Sequence, residues 1–153
     1  MDFFVDLCKT YKELRGPAGE GRVSVVRRSD VSQAAAKILE NPVLWENQIL
    51  NMTGPKALTL QEIAGIMSQK LGEEIPYINE TVEEAYASRK KWEAKDWEYD
   101  SWVSTYTAIA KGEQDGVSGD LERVLGRRAA SLEEYPVLPE AEASGPDGGR
   151  KAV

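Results

Sequence analysis

Residues 49–78, ILNMTGPKALTLQEIAGIMSQKLGEEIPYI, show the clearest alternation of secondary structure in the chain and decide its fold class. An apolar run over residues 48–52 predicts a strand, which the TGP turn at residues 53–55 closes. A long helical pattern follows, and EIPYIN at residues 74–79 predicts another short strand. A strand, a helix and a second strand in this order are typical of an α/β fold with a parallel sheet.

The helix between these strands carries its own start and stop signals. Thr59 and Glu62 form a capping-box pattern, in which each side chain bonds a free backbone amide of the first turn. Gly72 supplies the left-handed residue with which helices commonly end. The apolar residues between these limits recur at helical spacing: Leu60, Ile63, Ile66, Met67 and Leu71. The pattern therefore predicts a helix with one face in the core.

A second strand and helix lie in residues 20–42, EGRVSVVRRSDVSQAAAKILENP, with the strand at 22–26 and the helix at 31–40. In a dinucleotide site, such a strand runs into a glycine-rich turn, and phosphates bind the amides of the next helix. The turn here, residues 27–30, has no glycine. Asp30 at the helix start would bond those amides itself and repel a phosphate. We therefore expect Asp30 to cap its own helix.

The rest of the sequence predicts further helices around a small sheet. Helical spacing or capping signals mark residues 1–14, 82–91, 96–111 and 119–125. The glycines of residues 16–21 come before a strand and not before a helix, which predicts a plain loop. The predicted fold class is α/β, with a small parallel sheet flanked by helices.

Composition divides the chain into two parts. Residues 136–153 are rich in Pro, Gly, Ala and acidic residues and hold too little apolar surface to offset the entropy of ordering. They predict a disordered tail. Residues 1–135 are expected to form one domain, since a chain of 153 residues can bury a sizeable core.

Charge and residue counts exclude several classes of function. The formal net charge is −7, which gives no basic field to steer nucleic acid or an anionic membrane to the protein. The chain has no histidine and one cysteine, Cys8, which excludes disulfides, Cys/His zinc sites and Ser–His triads. A catalytic acid or base would be Asp, Glu, Tyr or Lys. With no apolar membrane span and no signal-peptide pattern, we expect a cytoplasmic protein that takes a small-molecule substrate and no metal.

The order of four segments resembles the C-terminal, substrate-side half of the NmrA-like atypical short-chain dehydrogenase/reductases. Three of these segments are VSVVRRSDVSQAAAKIL (23–39), AIAKGE (108–113) and LERVLGRRAASLEEY (121–135), and the fourth is the opening stretch at 49–78. The resemblance covers residues 1–135. It implies a partial Rossmann-type fold and an oxidoreductase that uses NAD(P).

The resemblance also implies a missing part. Family members begin with a nucleotide-binding half that carries a G-x-x-G-x-x-G turn, and this sequence contains no such motif. We therefore expect a truncated or split member with no NAD(P) motif of its own. The expected protein partner is a separate nucleotide-binding unit or a second copy of this chain in a homo-oligomer. The expected substrate is a small aromatic or polyketide-like secondary metabolite, in a biosynthetic setting.

Aromatic residues cluster in one stretch near the predicted helix at 96–111, and they form either core or the wall of a ligand pocket. They are Trp92, Trp97, Tyr99, Trp102 and Tyr106. Large rigid rings suit flat apolar ligands, and tyrosine hydroxyls supply polar anchors. The resemblance favours a pocket, because the corresponding family helix lines the substrate side.

The candidate site residues follow from that interpretation. Trp92, Trp97 and Trp102 are the expected substrate-binding rings, and Asp30 is a candidate for orienting the substrate. The expected catalytic residues are Tyr99, Tyr106 and Asp96, since a carboxylate or phenol in such a pocket can serve as acid or base.

A tyrosine and a lysine at 86 and 90 satisfy Y-x-x-x-K, the acid pair of dehydrogenases. In those enzymes the pair lies in the nucleotide-binding half. Here it lies in a substrate-side helix, so coincidence is the favoured interpretation.

Three functions remain open on the sequence. The first is an oxidoreductase of the family above. The second is a cofactor-independent isomerase or cyclase that uses the aromatic pocket. The third is a non-catalytic binding or regulatory module, which should expose an apolar surface around Phe3, Phe4 and Val5.

Overall fold

The computed structural model describes residues 1–136, and within them six α helices surround two small sheets. The helices are α1 (Asp2–Tyr11), α2 (Arg28–Glu40), α3 (Leu60–Leu71), α4 (Val82–Arg89), α5 (Asp96–Ala110) and α6 (Asp120–Leu125). The strands are β1 (Leu14–Gly16), β2 (Arg22–Val23), β3 (Leu58–Thr59) and β4 (Tyr77–Asn79). A short 3₁₀ helix spans Pro42–Leu44. All but one residue of the predicted disordered tail, residues 137–153, lie outside the described residues.

The predicted fold class is confirmed, since β1 and β4 pair in parallel and the helices flank them. Leu14 lies opposite Tyr77, and Gly16 lies opposite Asn79. Strands β2 and β3 form a separate pair, which is antiparallel and only two residues long on each side. The sequence predicted the strand in EIPYIN but not β1, because three residues are too few to show a period.

Helix α3 forms as predicted and anchors the core. Thr59 accepts a hydrogen bond from the Glu62 amide, and the Glu62 carboxylate accepts one from the Thr59 amide. Gly72 ends the helix with a left-handed φ of 70°. Its fully buried side chains pack with those of α1, β1 and α5 in the main hydrophobic core cluster. The largest fully buried side chains in this cluster are Leu14, Leu60, Ile63, Met67, Ile109 and Leu132.

The strand predicted at residues 48–52 is wrong, because no regular secondary structure forms there. Side chains at the start of α6 and just before it bind this segment, whereas in a sheet a neighbouring strand would do so. The Asn51 amide donates to Asp120 Oδ2 over 3.0 Å, and Ser118 Oγ donates to the Asn51 carbonyl over 2.5 Å. These bonds occupy backbone groups that a ladder would otherwise use.

The predicted capping role of Asp30 is also wrong. Helix α2 begins at Arg28, so Asp30 lies in the first turn, and its carboxylate does not cap the start of α2. It instead accepts hydrogen bonds from Arg127 Nη2 at 2.8 Å and from the Ala130 amide at 2.9 Å. The free Arg28 amide is bound by Asp2 Oδ2 of α1 at 3.1 Å. The Asp30 carboxylate therefore binds the segment after α6, and not the helix start that the local sequence pattern predicted.

We expect Asp30→Asn to lower the free energy of unfolding by about 2 kcal/mol at neutral pH, since Asp30 accepts two hydrogen bonds in a buried place. Burial would raise the pKa of Asp30, but the bonds and charge of Arg127 and the Ala130 amide lower it below its ordinary 3.8. Ionised Asp30 therefore stabilises the fold above about pH 4, and this is lost as the pH falls through the lowered value. Urea unfolding of the unmodified protein and the variant across that pH range measures this contribution to the free energy of unfolding. A difference between the two proteins that stays the same in acid would contradict the assignment.

No helix within residues 1–136 has the length and apolar character needed to cross a bilayer.

Candidate functional site

An apolar cavity of about 320 Å³ opens between α1, α4 and α5. Its lining side chains come from α1, from the segment that includes β1, from the end of α4 and from α5. They are Phe3, Leu7, Tyr11, Glu13, Arg15, Ser88, Arg89, Lys91, Trp92, Trp102 and Tyr106. Five of these lining residues are aromatic and four are charged.

The aromatic wall is built by edge-to-face contacts between rings. Trp92 lies 6.1 Å from Trp102 and 5.6 Å from Tyr11, measured between ring centroids. Tyr99 supports the wall from behind, because its ring meets Trp102 at 5.5 Å and its hydroxyl donates to the Trp92 carbonyl over 2.6 Å. Such contacts hold the rings in fixed orientations, so the cavity keeps its shape without a ligand.

A partly buried ionic network contributes three side chains to the lining of the cavity, those of Glu13, Arg15 and Arg89. The Glu80 side chain is only 2 % exposed and follows β4 directly. It accepts from Arg15 Nη1 at 3.0 Å and from Arg89 Nη1 at 3.1 Å. Arg15 also donates to Glu13 at 2.9 Å, and these ion pairs hold the pKa of Arg15 above its ordinary value. The network therefore places two guanidinium groups next to an apolar space.

Tyr106 lies between this network and the aromatic wall. The Arg89 guanidinium carbon stands 5.2 Å from the Tyr106 ring centroid. Burial raises the pKa of Tyr106 to about 12, although the Arg89 charge opposes the rise. The ring packs on Gly16, where an added Cβ would come within 2.4 Å of the ring carbon Cδ1. Glycine at this place in β1 is therefore what admits Tyr106.

Arg89 and Tyr106 lie side by side in the lining of the cavity. Against the larger effect of burial, which raises the pKa of Tyr106, Arg89 lowers that pKa through its charge and a side-chain hydrogen bond. Every fully enclosed side-chain nitrogen or oxygen in residues 1–136 has a hydrogen-bond partner. A guanidinium group and a phenol are therefore the polar groups next to the aromatic wall.

The structure brings together three of the seven residues predicted from the sequence. Trp92, Trp102 and Tyr106 line the cavity. Trp102 and Tyr106 are four residues apart on α5 and share one face of the helix. Among the described residues, Tyr106 is the only predicted catalytic residue that lines the cavity.

The other four predicted residues lie elsewhere. Trp97 is 64 % exposed, because five residues separate it from Trp102 and turn it roughly 140° around α5. Asp96 is exposed at the first residue of α5, and Tyr99 is the second layer behind the wall. Asp30 is bound to Arg127, away from the cavity. This geometry gives none of the four a direct contact with a ligand in the cavity.

The Y-x-x-x-K pair also lies outside the cavity. The Tyr86 hydroxyl donates to Asp100 Oδ1 at 2.8 Å, and this bond raises the pKa of Tyr86. A catalytic lysine would lower that pKa, so the arrangement is opposite to the dehydrogenase pair.

Sequence reasoning missed the ionic network, although a signal for it exists. Glu80 and Arg15 are 65 residues apart but lie on or next to two parallel strands. The ends of parallel strands meet at one sheet edge, so recognising β1 would have brought these charges together. Arg89 would have remained hidden, because a charge at the end of a helix usually faces solvent.

Carboxylates of the chain bind one backbone amide at the start of several helices, where a pyrophosphate would otherwise find free amides. Glu62 accepts from the amide of the residue before α3, Glu84 from that before α4 and Glu98 from that before α5. Asp2 bonds the start of α2, as described above. No group of three or more possible metal ligands occurs in residues 1–136.

Curated relatives with similar sequences are reductases. The chain is 29% identical over 119 residues to the NAD(P)H azoreductase of Xenophilus azovorans and 24% identical over 119 residues to quinone oxidoreductase 2 of Escherichia coli. Each match covers 78% of this chain but only 41% of the relative. No family model matches the chain.

Solved structures place the fold in the same group of proteins. The triphenylmethane reductase of Citrobacter sp., complexed with NADP(H), has a TM-score of 0.75 at 28% identity, and the match covers 88% of this chain and 48% of that one. A nucleoside-diphosphate-sugar epimerase of Staphylococcus aureus gives 0.73 at 26% identity, covering 86% and 45%.

The fold and the cavity thus define an α/β unit with a cavity lined by aromatic rings. In sequence and structure this unit is similar to NAD(P)H-dependent oxidoreductases, and it spans less than half the length of the relatives that it matches.

Proposed function

We propose that residues 1–135 are the substrate-binding domain of an NAD(P)H-dependent oxidoreductase whose substrate is a small planar aromatic compound. The observation that carries this proposal is the cavity, which has two tryptophans and a tyrosine on its walls and Arg89 and Tyr106 among its polar lining residues. Relatives named for azo, quinone and triphenylmethane compounds support an aromatic substrate. An aromatic or polyketide-like secondary metabolite meets the same description.

Tyr106 is the proposed proton donor. Reduction of a carbonyl or quinone leaves an oxyanion that must take up a proton, and Tyr106 lines the cavity in which that oxygen would lie. A pKa of about 12 keeps this hydroxyl protonated at neutral pH. Arg89 would stabilise both the oxyanion and the phenolate left on Tyr106, which then regains its proton from water.

The redox nucleotide in this proposal is held by a separate nucleotide-binding unit. The supporting observation is that this sequence contains no G-x-x-G-x-x-G turn.

Substitution of Trp102 tests the cavity as a site for aromatic compounds. We expect Trp102→Leu to weaken binding of the neutral probe anthraquinone-2-sulfonamide about tenfold, because one wall of the ring contact is lost. Isothermal titration of the purified chain measures this. Trp97→Leu is the matched control, since it makes the same change on the same helix outside the cavity, and circular dichroism checks that both variants are folded. Absence of binding to the unmodified chain, or equal losses in both variants, would refute the proposal.

A further inference from the structure

We propose that the cavity selects aromatic compounds that carry an anionic group, and that Lys91 is the residue that recognises this group. The inference rests on the proposed function, because it names the charge class of the same aromatic substrate. It would make sulfonated, carboxylated or phenolate rings better ligands than their neutral counterparts.

Lys91 lines the cavity from the link between α4 and α5. Its Nζ lies 4.4 Å from the Trp92 ring centroid and 5.1 Å from that of Tyr11. Contacts with two rings hold the ammonium at the aromatic wall by cation–π attraction. A ring that packs on this wall would therefore bring a substituent close to the ammonium.

Lys91 is a cation without an anionic partner in residues 1–136. Each of the nine ion pairs within 4.0 Å in these residues involves other side chains. The other cations of the cavity are neutralised, since Arg15 pairs with Glu13 and Glu80 and Arg89 pairs with Glu80. An incoming anion would give Lys91 a partner and displace none of these pairs.

The local charge differs in sign from that of the whole chain. The charges of the two carboxylates and two guanidinium groups in the ionic network cancel, and Lys91 adds one positive charge. The chain as a whole carries −7. An acidic protein surface repels anions in general, so a positive charge in its aromatic cavity would favour those aromatic anions that also fit the walls.

A matched pair of ligands separates charge from ring contact. Anthraquinone-2-sulfonate is anionic at neutral pH, whereas anthraquinone-2-sulfonamide has nearly the same shape and is neutral. We expect the unmodified chain to bind the sulfonate about fivefold more tightly at low salt, which corresponds to one charge pair near a protein surface. We expect Lys91→Gln to abolish this preference, so that the variant binds the sulfonate and the sulfonamide with equal affinity.

Lys90→Gln is the control variant, because it removes the same charge one residue earlier, where the lysine does not line the cavity. It should keep the preference for the sulfonate. Equal affinities for the two ligands in the unmodified chain would overturn the inference and leave the aromatic site intact. The same conclusion follows if Lys91→Gln keeps the preference or Lys90→Gln loses it equally. If neither ligand binds, the proposed function fails, and this inference fails with it.

Discussion

Replacing Glu80 with glutamine is expected to lower the free energy of unfolding by about 3–5 kcal/mol. The Glu80 side chain is 2 % exposed and neutralises Arg15 and Arg89. The amide keeps the shape of the carboxylate but leaves the Arg89 guanidinium, itself 7 % exposed, without an anion. A buried charge that loses its partner keeps the full cost of its lost hydration. Urea unfolding monitored by circular dichroism measures the loss.

Glu73→Gln is the matched control for that experiment. Glu73 also pairs with one cation, Lys12, but its side chain is 43 % exposed. Water and salt screen such a pair, so we expect a change of less than about 1 kcal/mol. If Glu80→Gln lowered the free energy of unfolding no more than this control, the stability of the fold would not depend on the ion pairs of Glu80. The described network would then be wrong.

Replacing Gly54 with alanine is expected to cost about 3 kcal/mol, at the upper end of the range for overpacking. A Cβ built at this residue would lie 1.8 Å from the Val25 carbonyl oxygen. The obstacle is backbone and cannot rotate away, so the TGP turn and the segment after β2 would have to separate. That movement would also strain the bond from the Gly54 amide to the Ser24 carbonyl.

The same substitution at Gly65 provides the control. Gly65 lies inside α3, and a Cβ there would meet no heavy atom within 4 Å. Alanine is better than glycine in a helix interior by about 0.5–1 kcal/mol, so we expect Gly65→Ala to stabilise the protein by that amount. Thermal and urea unfolding of both variants should therefore give changes of opposite sign. A loss below about 1 kcal/mol for Gly54→Ala would contradict the close approach.

The resemblance stated from sequence motifs agrees with the comparisons at a coarse level. It implied an NAD(P)-dependent oxidoreductase, and the similar proteins include an NAD(P)H azoreductase and a reductase complexed with NADP(H). The secondary-metabolite substrate and the separate nucleotide-binding unit stay predictions. The binding experiments above test the aromatic part of this reading directly.

The alternative of a binding module predicted an exposed apolar surface at Phe3, Phe4 and Val5, and the structure corrects this. Phe4 and Val5 are buried in the core, at 6% and 1% exposure, whereas Phe3 lines the cavity. A helix turns successive residues by roughly 100°, so neighbours in the chain face different surroundings. Three apolar residues in a row on α1 therefore do not form one surface.

Local interactions determined what the sequence alone could predict. The capping box of α3 joins residues three apart, its glycine stop needs one backbone conformation, and Trp102 and Tyr106 share a helix face by spacing. Each of these depends on neighbours along the chain. The α/β class and the clustering of the aromatic residues followed from such patterns, whereas the resemblance to the reductase family was what favoured a pocket over core packing.

Tertiary structure decided the rest, because the decisive partners are far apart in the chain. Asp30 binds residues 97 and 100 positions away, and that competition removed it from the helix cap. Glu80 meets Arg15 over 65 positions through the short pair of strands β1 and β4. Sequence pattern carries the period of an element but not the neighbour against which it packs. The ionic network and the charge of the cavity therefore became visible only in the folded chain.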